Sequence, residues 1–199
     1  MTRLPEDLIE RLHSFAMDIR ETFDERGHHI DGALDHDPSF RRSKRGRSAL
    51  TRELISSAFE RSAPNAMLHC RPGPGGSLEV YEEIANGYAA LRLRGARISG
   101  GEIIIRANSA SAWGGIDEDA LLREYPYVFA YIMNKDGSLE IFVAEVLDVE
   151  EGKPGRLILG NELILGRPTS AQSSGFLPDE DDSLPGFEDE DEDLGEESA

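Results

Sequence analysis

Residues 127–149 read YVFAYIMNKDGSLEIFVAEVLDV. Two apolar, β-branched and aromatic runs flank Asn134-Lys135-Asp136-Gly137, a combination of turn residues that specifies a β-hairpin. In the second run Leu139, Ile141, Val143, Leu147 and Val149 alternate with their neighbours, the period of a strand with one buried face. Strands over 127–133 and 139–149 are therefore the anchor from which the rest of the chain is read.

Upstream the period changes. Leu8, Leu12, Phe15, Ile19 and Phe23 recur every three or four residues, which predicts an amphipathic helix over 5–26 with Pro5 at its first position and Gly27 at its exit. Residues 27–47 read as an irregular connector. A second helix is expected over about 49–61, with Ser48 as N-cap and Leu50, Leu54, Ile55, Ala58 and Phe59 facing inward. Residues 71–76, Arg-Pro-Gly-Pro-Gly-Gly, read as a loop. Strands follow from about 78 to 165, including 78–84, 88–94 and 102–108, with a short helix over 117–124. The repeated Leu-Ile-Leu-Gly at 157–160 and 163–166 reads as the two arms of a hairpin turning on Gly160-Asn161.

Helices first and strands after predict an α+β domain, N-terminal helices packed on a mainly antiparallel sheet. The expected organisation is one domain over 1–166, a linker over 167–178 and a tail over 179–199. The tail holds twelve Asp or Glu residues and no Lys or Arg. Self-repulsion and a shortage of apolar groups predict that it is disordered. Taking its twelve negatives from the net charge of −18 leaves −6 for the remainder, an ordinary surface that gives no general attraction to nucleic acid or anionic lipid.

The one cysteine, Cys70, excludes an internal disulfide. No apolar run reaches the roughly 20 residues that span a bilayer, and residues 1–7 carry no signal-peptide core. A cytoplasmic location is the expectation.

Three features offer chemistry. His28, His29, Asp31, Asp35, His36 and Asp37 lie within ten residues and carry donors suited to a divalent ion, yet their spacing matches no metal motif. The plainer reading is a polar loop, with no metal and no cofactor. Arg41, Arg42, Lys44, Arg45 and Arg47 are five cations in seven residues. They read as solvated surface, as a docking site for the tail or a protein partner, or, with less support, as phosphate contacts. Glu145 interrupts the apolar stripe of its strand and must be paired, displaced by a bulge or poised as a base.

Other motifs fail. An Asp…Glu-x-Lys nuclease needs a cation where Leu147 stands, and Gly-x-Ser-x-Gly is absent. His69 and Cys70 are neighbours on an extended chain and point apart. The loop at 73–76 lacks the phosphate-binding glycine patterns. Trp113, in a small-residue stretch, suits an interface anchor if exposed and a cap on the sheet if buried. Phe176 and Phe187 punctuate the acidic tail, as in segments that order on binding a basic partner; the other reading is an entropic solubility tail.

The expected function is that of a non-enzymatic regulatory or adaptor protein. Its acidic tail, anchored by Phe176 and Phe187, and its Arg41, Arg42, Lys44, Arg45, Arg47 and Trp113 patch would bind a protein partner with a basic surface. The alternative is a metal-dependent hydrolase using residues 28–37 with Glu145 as base.

Overall fold

Leu8, Leu12, Phe15, Ala16, Ile19 and Phe23 share one face of helix α1 (Glu6–Arg26), and all six are buried. The computed structural model describes residues 4–37, 40, 42–85, 87–107, 123–134, 136–150, 152 and 155–166. The linker and tail expected from 167 onward lie outside them. Helices α2 (His28–Asp35) and α3 (Lys44–Ser62) lie with it in the helical layer.

Among the described residues ten strands follow: β1 (Cys70–Pro72), β2 (Leu78–Ile84), β3 (Gly87–Gly95), β4 (Arg97–Ser99), β5 (Glu102–Ile104), β6 (Arg106–Ala107), β7 (Arg123–Met133), β8 (Leu139–Glu150), β9 (Gly155–Leu159) and β10 (Leu163–Leu165). The main sheet runs β1-β2-β3-β7-β8-β9-β6, with β10 also paired to β8 and β4-β5 forming a separate ribbon. Among the described residues only the β3–β7 ladder is parallel; the other pairings are antiparallel. The chain is thus α+β, helices on a mainly antiparallel sheet, as the order of its periods predicts.

The helices cover one sheet face, where Phe15 of α1, Phe59 of α3 and Phe129 of β7 meet with ring centroids 4.9–5.3 Å apart. Val128, Ala130, Phe142, Ala144 and Val146 occupy the opposite face and pack with Ile105, Ala107 and Leu157 in a second apolar cluster. Burial on both faces explains why 127–133 reads as almost continuously apolar. The expected turn is present: Asn134 donates its N–H to Ser138 O at 2.9 Å, and Gly137 takes the positive φ of 84°. Pro126 is accommodated inside β7 because pairing with β8 begins only at Tyr127.

Several boundaries differ from expectation. Gly27 does not end the first helix cleanly. Its φ of −57° and ψ of −32° are right-handed helical, so the chain bends and continues into α2. Residues 28–35 are helical because Ile30 and Leu34, four apart, bury together against the other helices. The expected helix over 49–61 runs Lys44–Ser62, capped by Ser43 and not Ser48. Cys70–Pro72 is an edge strand, so the sheet begins before residue 78. The strand expected over 102–108 divides at Ile105, with β5 pairing to β4 and β6 to β9. Arg123 and Glu124 belong to β7, not to a helix; residues 117–122 lie outside the described residues.

The two Leu-Ile-Leu arms do not pair with each other. Leu157 and Leu159 register with Val149 and Val146 of β8, whereas Leu163 and Leu165 register with Val143 and Ile141. β8 spans twelve residues. Its long exposed ladder is satisfied by two short strands in succession, which a hairpin between them would leave open.

Close backbone approach fixes one glycine. Gly87 opens β3 with φ +145°, and a Cβ there would stand 2.0 Å from Arg123 O. Gly87→Ala is expected to lower stability by about 2–3 kcal/mol through backbone strain and displacement of the β3–β7 ladder. Urea denaturation reads the loss, and an unchanged midpoint would show that the parallel ladder yields easily.

Candidate partner-binding surface

Ser43 decides where the cationic segment sits. Its side-chain oxygen accepts the Gly46 N–H at 2.9 Å, so the helix starts immediately and places Lys44, Arg45 and Arg47 in its opening turns. A helix N-terminus carries partial positive charge, and each cation there is unfavourable by a few tenths of a kcal/mol. No acidic residue offsets them in the first turn of α3. Local helix stability therefore gives no reason for this placement. Ser43→Ala should cost about 1 kcal/mol of stability by removing the cap. A thermal melt checks this, and no shift would mean that another group takes over the Gly46 N–H.

Arg42, Lys44, Arg45 and Arg47 are all exposed. Arg47 reaches back to α2, with Nη2 2.5 Å from Asp31 Oδ1. Phe40, just before the cap, is 53% exposed, and Leu50, one turn beyond the cations, is 38% exposed. Leu50 opens onto an open groove of about 280 Å³ between α2, α3 and the end of α1. Ile30, Ala33, Leu50 and Leu54 provide its apolar lining, with Arg26, His29 and Glu53 at the sides. The groove exists because α1 bends into α2 at Gly27 and both then pack against α3. The sequence singled out the cations. It did not single out the groove, since Leu50 and Leu54 read as inward-facing residues of an ordinary helix.

Arg41, Trp113, Phe176 and Phe187, the other expected partner-binding residues, lie outside the described residues. The His/Asp residues are spread over α2 and the turn after it. His28, His29, Asp31 and His36 are exposed, and the rings of His28 and His29 lie 4.0 Å apart. No three His, Cys, Asp or Glu side chains are grouped to hold a metal ion among the described residues.

Glu145 sits on the β7–β8 ladder opposite Tyr127 and is half-buried, not enclosed. The bulge that the interrupted stripe suggested follows it, where the register with β9 shifts between Val146 and Asp148. Burial, and after it the Glu145 carboxylate, push the Tyr127 phenol up to about 12. Burial likewise raises the Cys70 thiol to about 11, with Glu60 and Glu79 adding to it. A thiol raised in this way is a poor nucleophile near neutrality. His69 is engaged elsewhere: its N–H and Nδ1 stand 2.7 and 3.1 Å from Glu82 Oε1.

A second charged assembly was not legible before strand register was known. Glu79, only 2% exposed, accepts from Arg71 Nε at 2.7 Å and from Arg92 Nε at 3.0 Å. Glu124 lies 3.6 Å from Arg92 and 3.9 Å from Arg71. The Arg71 guanidinium stacks 3.5 Å above the Tyr81 ring, which in turn stacks on Tyr88 at 4.6 Å. This chain of opposite charges ties β1, β2, β3 and β7 together, and its mutual pairing suits a structural role better than a binding one.

No helix among the described residues is long and apolar enough to cross a membrane. Comparisons with protein-family models, curated proteins and solved structures find no match, so any functional reading rests on the chain's own residues.

Proposed function

We propose that this chain is a non-enzymatic regulatory or adaptor protein of the cytoplasm. It binds a protein partner through two elements, the acidic tail with Phe176 and Phe187 and the cationic, partly apolar surface at the start of α3. The observation that supports this most directly is the placement of Arg42, Lys44, Arg45 and Arg47. They stand exposed, against the helix dipole, beside exposed Phe40 and Leu50. Exposed apolar groups ringed by charge suit a docking site. The tail extends the reach of the interaction, because dense charge steers encounter while aromatic groups fix the complex.

The test is capture from native-host lysate with three full-length proteins, identifying bound protein and nucleic acid alike. One is the natural chain. The second carries Arg42→Glu, Lys44→Glu, Arg45→Glu and Arg47→Glu, and the third has the acids at 188–193 replaced by Asn and Gln. A protein held by the natural chain and reduced roughly tenfold or more in both variants, about 1.4 kcal/mol or more, supports the proposal. A protein held equally by all three, or nucleic acid as the specific ligand, overturns it.

A further inference from the structure

We propose that residues 176–187 of this same chain dock on the groove between α1, α2 and α3, covering the surface that an outside partner uses. This rests on the proposed function, whose docking surface it takes as the site of regulation.

Chemistry, reach and effective concentration support the assignment. The segment reads Phe176-Leu177-Pro178-Asp179-Glu180-Asp181-Asp182-Ser183-Leu184-Pro185-Gly186-Phe187, four consecutive acids between two apolar clusters. The surface is its complement: exposed Arg42, Lys44, Arg45 and Arg47 beside a groove floored by Ile30, Ala33, Leu50 and Leu54. Asp31, Asp35 and Asp37 lie on α2 and the turn after it and Glu53 at the side of the groove, and Asp31 pairs with Arg47. Leu50 and Leu54, one turn apart, present a continuous apolar ridge to an incoming Phe or Leu.

The described chain ends on the right helix. Arg20 Nη1 donates to Gly166 O at 2.7 Å, and the Gly166 N–H donates to His13 Nδ1 at 3.1 Å, which fixes the departure point on α1. Arg26, at the side of the groove, is six residues further along that helix, a rise of about 9 Å. Phe176 is ten residues on from Gly166, up to roughly 33 Å when extended. Tethering over such a length gives an effective concentration on the order of millimolar, so even a weak contact is populated. Bound in this way, the tail competes with any partner for the cations and for Leu50, and rising salt or a tighter partner releases it.

The experiment uses the full chain with Cys70→Ser and a nitroxide attached at Ser183→Cys, read by amide broadening. Preferential broadening of amides at 26–33 and 44–57 is expected, at least about twofold above the rest, and lost near 1 M salt, where the screening length is about 3 Å. A label-free arm compares amide shifts of the natural chain with a full-length variant carrying Asn and Gln at 179–182. Shift changes at the same residues support docking should the labelled protein be perturbed. Weak uniform broadening, or a maximum on β3 and β4 near Arg94 and Arg97, overturns it. So does equal broadening between differently labelled molecules, which assigns the contact to a second copy. Partner capture without this broadening overturns self-docking and leaves the proposed function standing; broadening without a partner does the reverse.

Discussion

Phe129→Ala is expected to lower stability by about 4 kcal/mol, the middle of the range for a fully buried Phe. Phe129 has no solvent exposure, and its ring lies 5.2 Å from Phe15 and 5.3 Å from Phe59. It is where the central strand meets both long helices. Removing the ring leaves a cavity bounded by rigid backbone on the sheet side, which limits relaxation. A loss of that size is a large part of the 5–15 kcal/mol that holds a typical domain together. Urea titration should show an earlier midpoint with a preserved slope. Phe129→Leu, which keeps most of the volume, should cost distinctly less. Equal costs for both would mean that the aromatic packing, not the volume, carries the effect.

Glu79→Gln is expected to cost about 3 kcal/mol by leaving a buried guanidinium without its carboxylate. Arg92 is 4% exposed, and Glu79 accepts from its Nε at 3.0 Å. Glu124, 3.6 Å away and 44% exposed at its side chain, compensates only in part. Replacing both residues by Met should recover much of the stability, since exchanging a buried ion pair for apolar groups of similar volume is often neutral or favourable. The comparison of single and double variants isolates the pair. If the single variant is as stable as the natural chain, the network is surface decoration and its burial has been overvalued.

The fold was legible where periodicity was long. Five apolar residues at helical spacing predict α1, and a turn motif between two apolar runs predicts the β7–β8 hairpin. Short elements depart from expectation where one residue type serves two purposes. Gly27 suggests a helix end, but in the right-handed helical region it allows a bend and continuation. The Leu-Ile-Leu arms carry strand character without saying which strand they join, and the long edge of β8 settles that. The cationic patch was visible as charge. The groove beside it depends on three helices meeting, and the Glu79–Arg92 pair depends on a cross-strand register. Neither leaves a trace in local spacing.

In the proposed function charge draws this chain to its partner. The most direct test is the association rate of the full chain with the captured partner, measured from low to high salt. Steering by the tail and the α3 cations predicts a rate that falls by at least about tenfold as screening shortens the field. Neutralising the acids at 188–193, which lie beyond the docked segment, should lower the low-salt rate and flatten the dependence. A rate insensitive to salt in the natural chain would contradict the account.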